Sequence, residues 1–287
     1  MKTKFLKFTW KIFILFFTIT SCGSDEVSTE NEENQPNTEA KLISKIISEN
    51  PESYEKGAQF FYENDKLKYV YLDDCSGELY YFEYNNNGKV SKRYYDVITF
   101  EGSDFNPDTY DLPNLIQNST PLSYIYQNDN LVKMQYTNDF VDYHFSYNND
   151  NKVEVVEWIL PEIGLWEKVV FSYSNNKISG MNKKEYDTDG ELIRNDNFTF
   201  EYDDKINPFS VFSEQFNLFG LYTCTGFDYI SSEDIGLKIF GNNVTKVYRN
   251  GVELFTATYQ YDTNNYPTRI SYTNLNGNIS SIDLITY

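Results

Sequence analysis

His144 is the sole histidine among 287 residues, so any triad chemistry has one base to draw on. It lies in Val-Asp-Tyr-His-Phe-Ser-Tyr, an alternating strand pattern, and no Gly-x-Ser-x-Gly elbow supplies a nucleophile. Glycoside hydrolysis would need two carboxyl groups a few ångströms apart, but with 43 Asp and Glu the sequence singles out no pair. The chain therefore predicts no catalytic residue and no enzyme. Asp187, Asp189 and Glu191 space oxygen ligands as the opening of a calcium loop does; read otherwise, the same residues make an Asp-Gly turn between strands. Calcium is the single cofactor suggested. Trp158 and Trp166 flank a turn containing Pro and Gly and offer aromatic faces on which a sugar ring stacks; the alternative is that they cover a sheet poor in aliphatic residues.

The cysteines carry different chemistry. Lys2, Lys4, Lys7 and Lys11 precede an apolar run from Ile12 to Ile19 that is too short to span a bilayer as a helix, which marks a processing signal. Ile19-Thr20-Ser21-Cys22 resembles a lipobox, so residues 1–21 are expected to be a lipoprotein signal peptide and Cys22 the lipidated first residue of the mature protein. Cys75 and Cys224 then remain as an even pair in an oxidising compartment, either a disulfide or two buried thiols. Zinc motifs are excluded by the lack of closely spaced cysteines. Residues 22–39 hold almost nothing apolar and read as a disordered acidic tether. Within it, Ser24-Asp25-Glu26 resembles the export signal of surface lipoproteins. The expected location is the outer membrane, facing outward, with a periplasm-facing anchor as the alternative. A net charge of −19 excludes nucleic acid as a partner.

These residues must be positioned by strands. With 26 Tyr and 22 Phe alternating with polar residues, and Asn, Asp and Gly clusters every ten or so positions, residues 40–287 predict a single all-β domain. An aromatic residue repeatedly precedes each turn, at Tyr62, Tyr84, Tyr126, Tyr147, Tyr173, Tyr202, Phe240 and Tyr261, and a second strand then restarts with Lys and an aliphatic residue. The expected architecture is an antiparallel meander of degenerate hairpin repeats forming a large twisted or half-rolled sheet. Residues 40–50 read as a short helix or a first strand. Insertions fall near 102–121, which reads as a loop, and 207–236, which reads as an end cap or a helix on one face.

The repeat units, with Tyr186-Asp187-Thr188-Asp189-Gly190 and Tyr261-Asp262 as the nearest matches, resemble the tyrosine-aspartate repeats of Rhs and teneurin shells. With the lipobox and tether, they resemble uncharacterised Bacteroidetes lipoproteins. That resemblance implies no activity and no catalytic residue. The function expected is a non-enzymatic envelope binding module for glycan or another surface polymer. The alternative is a structural or protein-interaction subunit of an outer-membrane assembly. The partners expected are the membrane, through the lipid, and a glycan or an envelope protein.

Overall fold

The computed structural model describes residues 41–49, 57–72, 77–98, 105–136, 141–211 and 242–287. Cys22, Cys75, Cys224 and Phe240 lie outside the described residues, as do the leader, the tether and most of the second insertion.

Sixteen strands pair in chain order: β1 (Lys45–Ser48), β2 (Gly57–Glu63), β3 (Lys66–Leu72), β4 (Glu78–Tyr84), β5 (Val90–Val97), β6 (Leu122–Gln127), β7 (Asn130–Tyr136) and β8 (Asp142–Tyr147). The series continues with β9 (Val153–Leu160), β10 (Gly164–Ser174), β11 (Lys177–Tyr186), β12 (Leu192–Ile206), β13 (Asn242–Arg249), β14 (Val252–Tyr261), β15 (Pro267–Asn274) and β16 (Ile279–Thr286). Every pairing is between neighbours, and β1 also pairs antiparallel with β16, so the sheet is a closed barrel. The expected open or half-rolled sheet is corrected by this closure. Residues 45–48 form the strand that joins the ends, so the described part of the segment 40–50 holds a strand and no helix.

The hairpin turns follow from Asn, Asp and Gly. Asn64 and Asp65, Asn128 and Asp129, Asn175 and Asn176, and Asn250 and Gly251 each take positive φ at both central positions, the geometry that matches the twist of paired strands. Longer turns start with an Asx residue whose Oδ1 accepts from the backbone N–H two and four residues on, as at Asn85, Asn148, Asp187, Asp262 and Asn274.

Tyrosine explains how one hairpin is fastened to the next. Backbone pairing between units stops at Tyr69↔Tyr81, Lys92↔Ser123, Lys133↔His144 and their equivalents. Two residues beyond each stop a carbonyl is left without its rung, and the tyrosine three residues beyond the partner supplies the donor. Tyr62 donates to Ile43, Tyr84 to Leu67, Tyr126 to Val90 and Tyr147 to Leu131, at 2.6–2.9 Å. Tyr173 donates to Val153, Tyr202 to Ile178, Tyr259 to Val244 and Tyr287 to Pro267, at 2.5–2.8 Å. Eight clasps thus ring one end of the barrel. Lys66, Lys89, Lys152 and Lys177 lie over the rings of Tyr84, Tyr126, Tyr173 and Tyr202 at 5.0–5.9 Å, which explains the lysine that restarts these four units.

A single apolar cluster draws residues from all sixteen strands, including Phe60, Val70, Phe82, Leu122, Met134, Val153, Phe198 and Val247. Side chains from the whole circumference meet only through the lumen, so the barrel is filled. Phe209, in a short 3-10 turn after β12, joins this cluster and packs edge-on against Phe60 at 6.4 Å. The first insertion lies outside. It is a 3-10 turn (Pro107–Thr109) and a helix, α1 (Leu112–Asn118), rather than all loop. Phe105 beside it covers Phe61, Tyr69 and Tyr71 on the outer face of β2 and β3.

Candidate functional site

At the end opposite the tyrosine ring the lumen changes character. Following β10 and β11 inward from the clasp, Phe171↔Met181 is core, the next lumen-facing pair is Val169↔Lys183, and the next is Glu167↔Glu185. On β12 the corresponding positions are Phe198, Asp196 and Arg194. Lys183 Nζ lies 2.8 Å from Glu167 Oε2 and 3.4 Å from Glu185 Oε1, Arg194 Nε donates to Asp196 Oδ2 at 2.5 Å, and Asn250 Nδ2 donates to Asp196 Oδ1 at 2.8 Å. Burial works against the Asp196 carboxylate, yet the hydrogen bonds from Asn250 and Arg194 and the charges of Arg194 and Arg249 hold its pKa below the usual range.

Trp158 stands beside this network. It pairs with Glu167 across the β9–β10 hairpin and with Tyr143 across β8, and its ring lies 5.5 Å from that of Tyr143. Its indole N–H is buried and has no acceptor among the described residues, whereas a buried donor is ordinarily bonded. Trp166 is on the same hairpin, as the extra residue of a bulge between Leu165 and Glu167. Of the residues at this corner the sequence singled out Trp158 and Trp166 and did not single out Glu167, Lys183, Glu185, Arg194 or Asp196. Nothing in a single sequence separates these from other charged strand residues, because a β-bulge in each hairpin reverses which parity faces the lumen.

Further around the same end, Arg93 lies 5.3 Å over the Tyr80 ring and donates to Tyr136 Oη at 3.2 Å, and Tyr272 donates to the buried Asp283 at 2.9 Å. Asp187, Asp189 and Glu191 form the β11–β12 turn on the rim. There Asp187 Oδ1 accepts from the N–H groups of Asp189 and Glu191, the role that neutral Asn85, Asn148 and Asn274 fill in sister turns. Among the described residues no three His, Cys, Asp or Glu side chains are placed to share a metal ion. His144 faces outward in a charged row between Lys133 and Glu157, with Asp142 Oδ2 at 3.7 Å.

That row decides how the barrel meets its surroundings. Lys133, His144, Glu157, Lys168 and Lys184 are register neighbours on the outer face of β7 to β11, and Lys168 pairs with Glu157 at 2.8 Å. A membrane barrel has an apolar outer band and a polar interior, and each Lys at the bilayer midplane costs it about 2–4 kcal/mol. Along β7 to β11 the arrangement is reversed, with the charged row outside and the apolar cluster within. Among the described residues no helix is long and apolar enough to cross a membrane.

The fold and site define a closed, up-and-down antiparallel barrel with a filled apolar lumen and one charged, aromatic end. No protein-family model and no curated protein matches the chain. Among solved structures it is similar to a porin-like protein from Bacteroides vulgatus ATCC 8482, at 10% identity over 86% of this chain and 98% of that one with a TM-score of 0.42. A porin-like protein from Bacteroides uniformis ATCC 8492 gives 12% identity over 86% and 98%, with a TM-score of 0.40. The Photorhabdus luminescens Tc holotoxin pore gives 14% identity over 78% of this chain and 9% of that one, with a TM-score of 0.27. At these scores the likenesses carry no weight for function, which rests on this chain's own residues.

Proposed function

We infer that the protein is a non-enzymatic cell-envelope lipoprotein, held by lipid at Cys22, whose water-surrounded barrel is a binding module for a glycan or another surface polymer. The observation that carries this reading is the Tyr143–Trp158 pair beside Glu167, Lys183 and Glu185, with an indole donor that lacks a protein acceptor. Stacking faces next to planar charged hydrogen-bonding groups are what a sugar ring and its hydroxyls require, and barrel mouths are common ligand sites.

Trp10 lies in the leader, so Trp158 and Trp166 are the indoles of the mature chain, and fluorescence excited selectively in tryptophan reports on this hairpin. Titration with a panel of neutral and charged glycans is expected to shift the emission with one sugar class, and Trp158→Phe to remove that response while leaving Tm nearly unchanged. An unchanged spectrum together with an unchanged Tm across the panel would overturn the reading.

A further inference from the structure

On the outer face of β10 to β12 two register rows run side by side. One is Lys168↔Lys184↔Asn195 and the other is Val170↔Asn182↔Asn197. Asn182 fixes its two neighbours, since its Nδ2 donates to Asn195 Oδ1 at 2.7 Å and to Asn197 Oδ1 at 2.9 Å. The Asp196 carbonyl lies 3.4 Å from the same atom and requires a donor there, which assigns all three carboxamides. With their oxygens turned to Asn182, the exposed Asn195 and Asn197 present their NH2 groups outward. Lys184 stands beside them and faces a like charge. Directly opposed lysines are unfavourable on a sheet, and Lys168 is relieved by Glu157 at 2.8 Å. Followed back to β8, the two rows hold no other acid than Glu157, and the Lys184 ammonium has no ion pair or hydrogen bond among the described residues. A chain with 43 acidic and 24 basic side chains thus keeps one sheet position where an ammonium and two carboxamides adjoin as donors with no acceptor.

We propose that this patch binds the carboxylate of a uronate residue in an acidic polysaccharide, with the polymer lying across the outer face of β10 to β12. The proposal deepens the glycan reading above and rests on it for the class of ligand. Lys184 supplies the charge and the Asn195 NH2 a second donor to the same carboxylate, and hydrogen bonds to an ionised acceptor are roughly twice as strong as neutral ones. Asn197, two residues along the strand and so about 6–7 Å away, is placed to reach a hydroxyl of the same ring or the next. The net charge of −19 does not forbid an anion here, because at physiological ionic strength exposed charges more than about 8 Å off are largely screened. A single unpaired ammonium suits a polymer with one carboxylate per sugar rather than nucleic acid, whose binding takes many cationic contacts.

The test is calorimetric titration of the full chain with oligosaccharides of galacturonic, glucuronic and mannuronic acid, each beside its methyl ester. One of the acids is expected to bind, and its ester, which keeps the sugar and removes the charge, to bind at least about tenfold more weakly. Lys184→Gln and Asn195→Asp are each expected to weaken binding at least about tenfold with Tm within about 2 °C of the parent, as surface substitutions ordinarily leave it. Lys92→Gln, which removes a charge from the outer face of β5, is expected to change binding less than about twofold. No binding of any uronate, equal binding of acid and ester, or equal losses in Lys92→Gln and Lys184→Gln would overturn the proposal. Tryptophan emission reads the Trp158 corner and is unaffected by these variants. Silent emission with uronate binding intact would therefore sink the corner alone, and an emission response without loss in Lys184→Gln and Asn195→Asp would sink the patch alone.

Discussion

The hydroxyl of Tyr287 donates to the carbonyl of Pro267 at 2.8 Å while Lys41 Nζ stands 5.6 Å over the Tyr287 ring. Pro267 opens β15, so this clasp joins β16 to β15, as the clasp from Tyr62 to Ile43 joins β2 to β1, and between them β16 and β1 pair as the two strands of one unit. Lys41 also pairs with Asp262 at 2.5 Å, whose carboxyl is held below the usual range chiefly by that hydrogen bond. Closure of the barrel is thus a repeat of the unit rather than a separate device.

Removing one clasp hydroxyl leaves a carbonyl without its donor. Tyr202→Phe keeps the ring and loses the bond to Ile178, so it is expected to cost about 1–2 kcal/mol and to lower Tm by about 2–8 °C. Thermal unfolding followed by circular dichroism checks this, and Tyr248→Phe, whose hydroxyl bonds Glu201 on the exposed outer face, serves as the control with a change near zero.

Alkaline pH should dismantle the ring in one step. Burial first, and then the neighbouring tyrosine of the ring, raise Tyr62, Tyr126 and Tyr202 well above the ordinary tyrosine range; Tyr259 is raised by burial and by Tyr261. The folded barrel keeps protons that the unfolded chain releases, so their contribution is intact below about pH 10 and is lost as pH climbs toward the folded values. Each such group removes up to about 1.4 kcal/mol per pH unit. The four together would consume a typical domain stability of about 5–15 kcal/mol within a few units. Tyrosinate absorbance is expected to rise together with loss of the β signal; gradual titration of these tyrosines in an intact barrel would contradict it.

Asp196 gives the opposite pH dependence. Its lowered carboxyl stabilises the fold above the ordinary carboxylate pKa of about 3.9, and that contribution disappears as pH falls through the lower folded value. Asp196→Asn is therefore expected to melt below the parent at neutral pH and to converge with it in strong acid. Melting curves across that range provide the measurement, and a constant gap would show that the substitution acts through packing alone.

Asp187 separates a turn from a metal site. If its carboxylate serves to accept two backbone N–H groups, as Asn85 and Asn148 do, then Asp187→Asn should leave Tm within about 1 °C, whereas Asp187→Ala should cost about 1 kcal/mol. Melting with calcium and then with chelator completes the comparison: a calcium-dependent rise that Asp187→Asn abolishes would return the ligand reading.

Much of the fold was legible because its determinants are local. Asn64-Asp65 and Asn128-Asp129 mark tight turns wherever they occur, and the tyrosine before each turn identifies the unit. Closure was not legible, since it depends on four residues of β1 meeting β16 across 242 positions of chain at Ser44 and Thr286. Which side chains face the lumen was not legible for a related reason. Strict alternation from Leu67 would place Tyr69 and Tyr71 in the lumen, yet the bulge opposite Tyr62 puts Val70 and Leu72 there and leaves the two tyrosines to be covered from outside by Phe105. Tyr261 was read as the aromatic residue of its unit because it precedes a turn. β14 runs two residues further than its counterparts, so Tyr259 makes the clasp and Tyr261 bonds Asp203 instead.

A ring whose joints are all made alike has no privileged beginning. Its circumference is a count of units, and the quantity that fixes the count is the volume that Phe82, Leu122, Met134, Phe198 and their neighbours occupy inside it. Around the same side chains a nine-unit ring would leave voids and a seven-unit ring would be overpacked, both of them destabilising. Size in this protein is therefore written in its core, and the clasps, indifferent to number, merely close whatever circle the core demands.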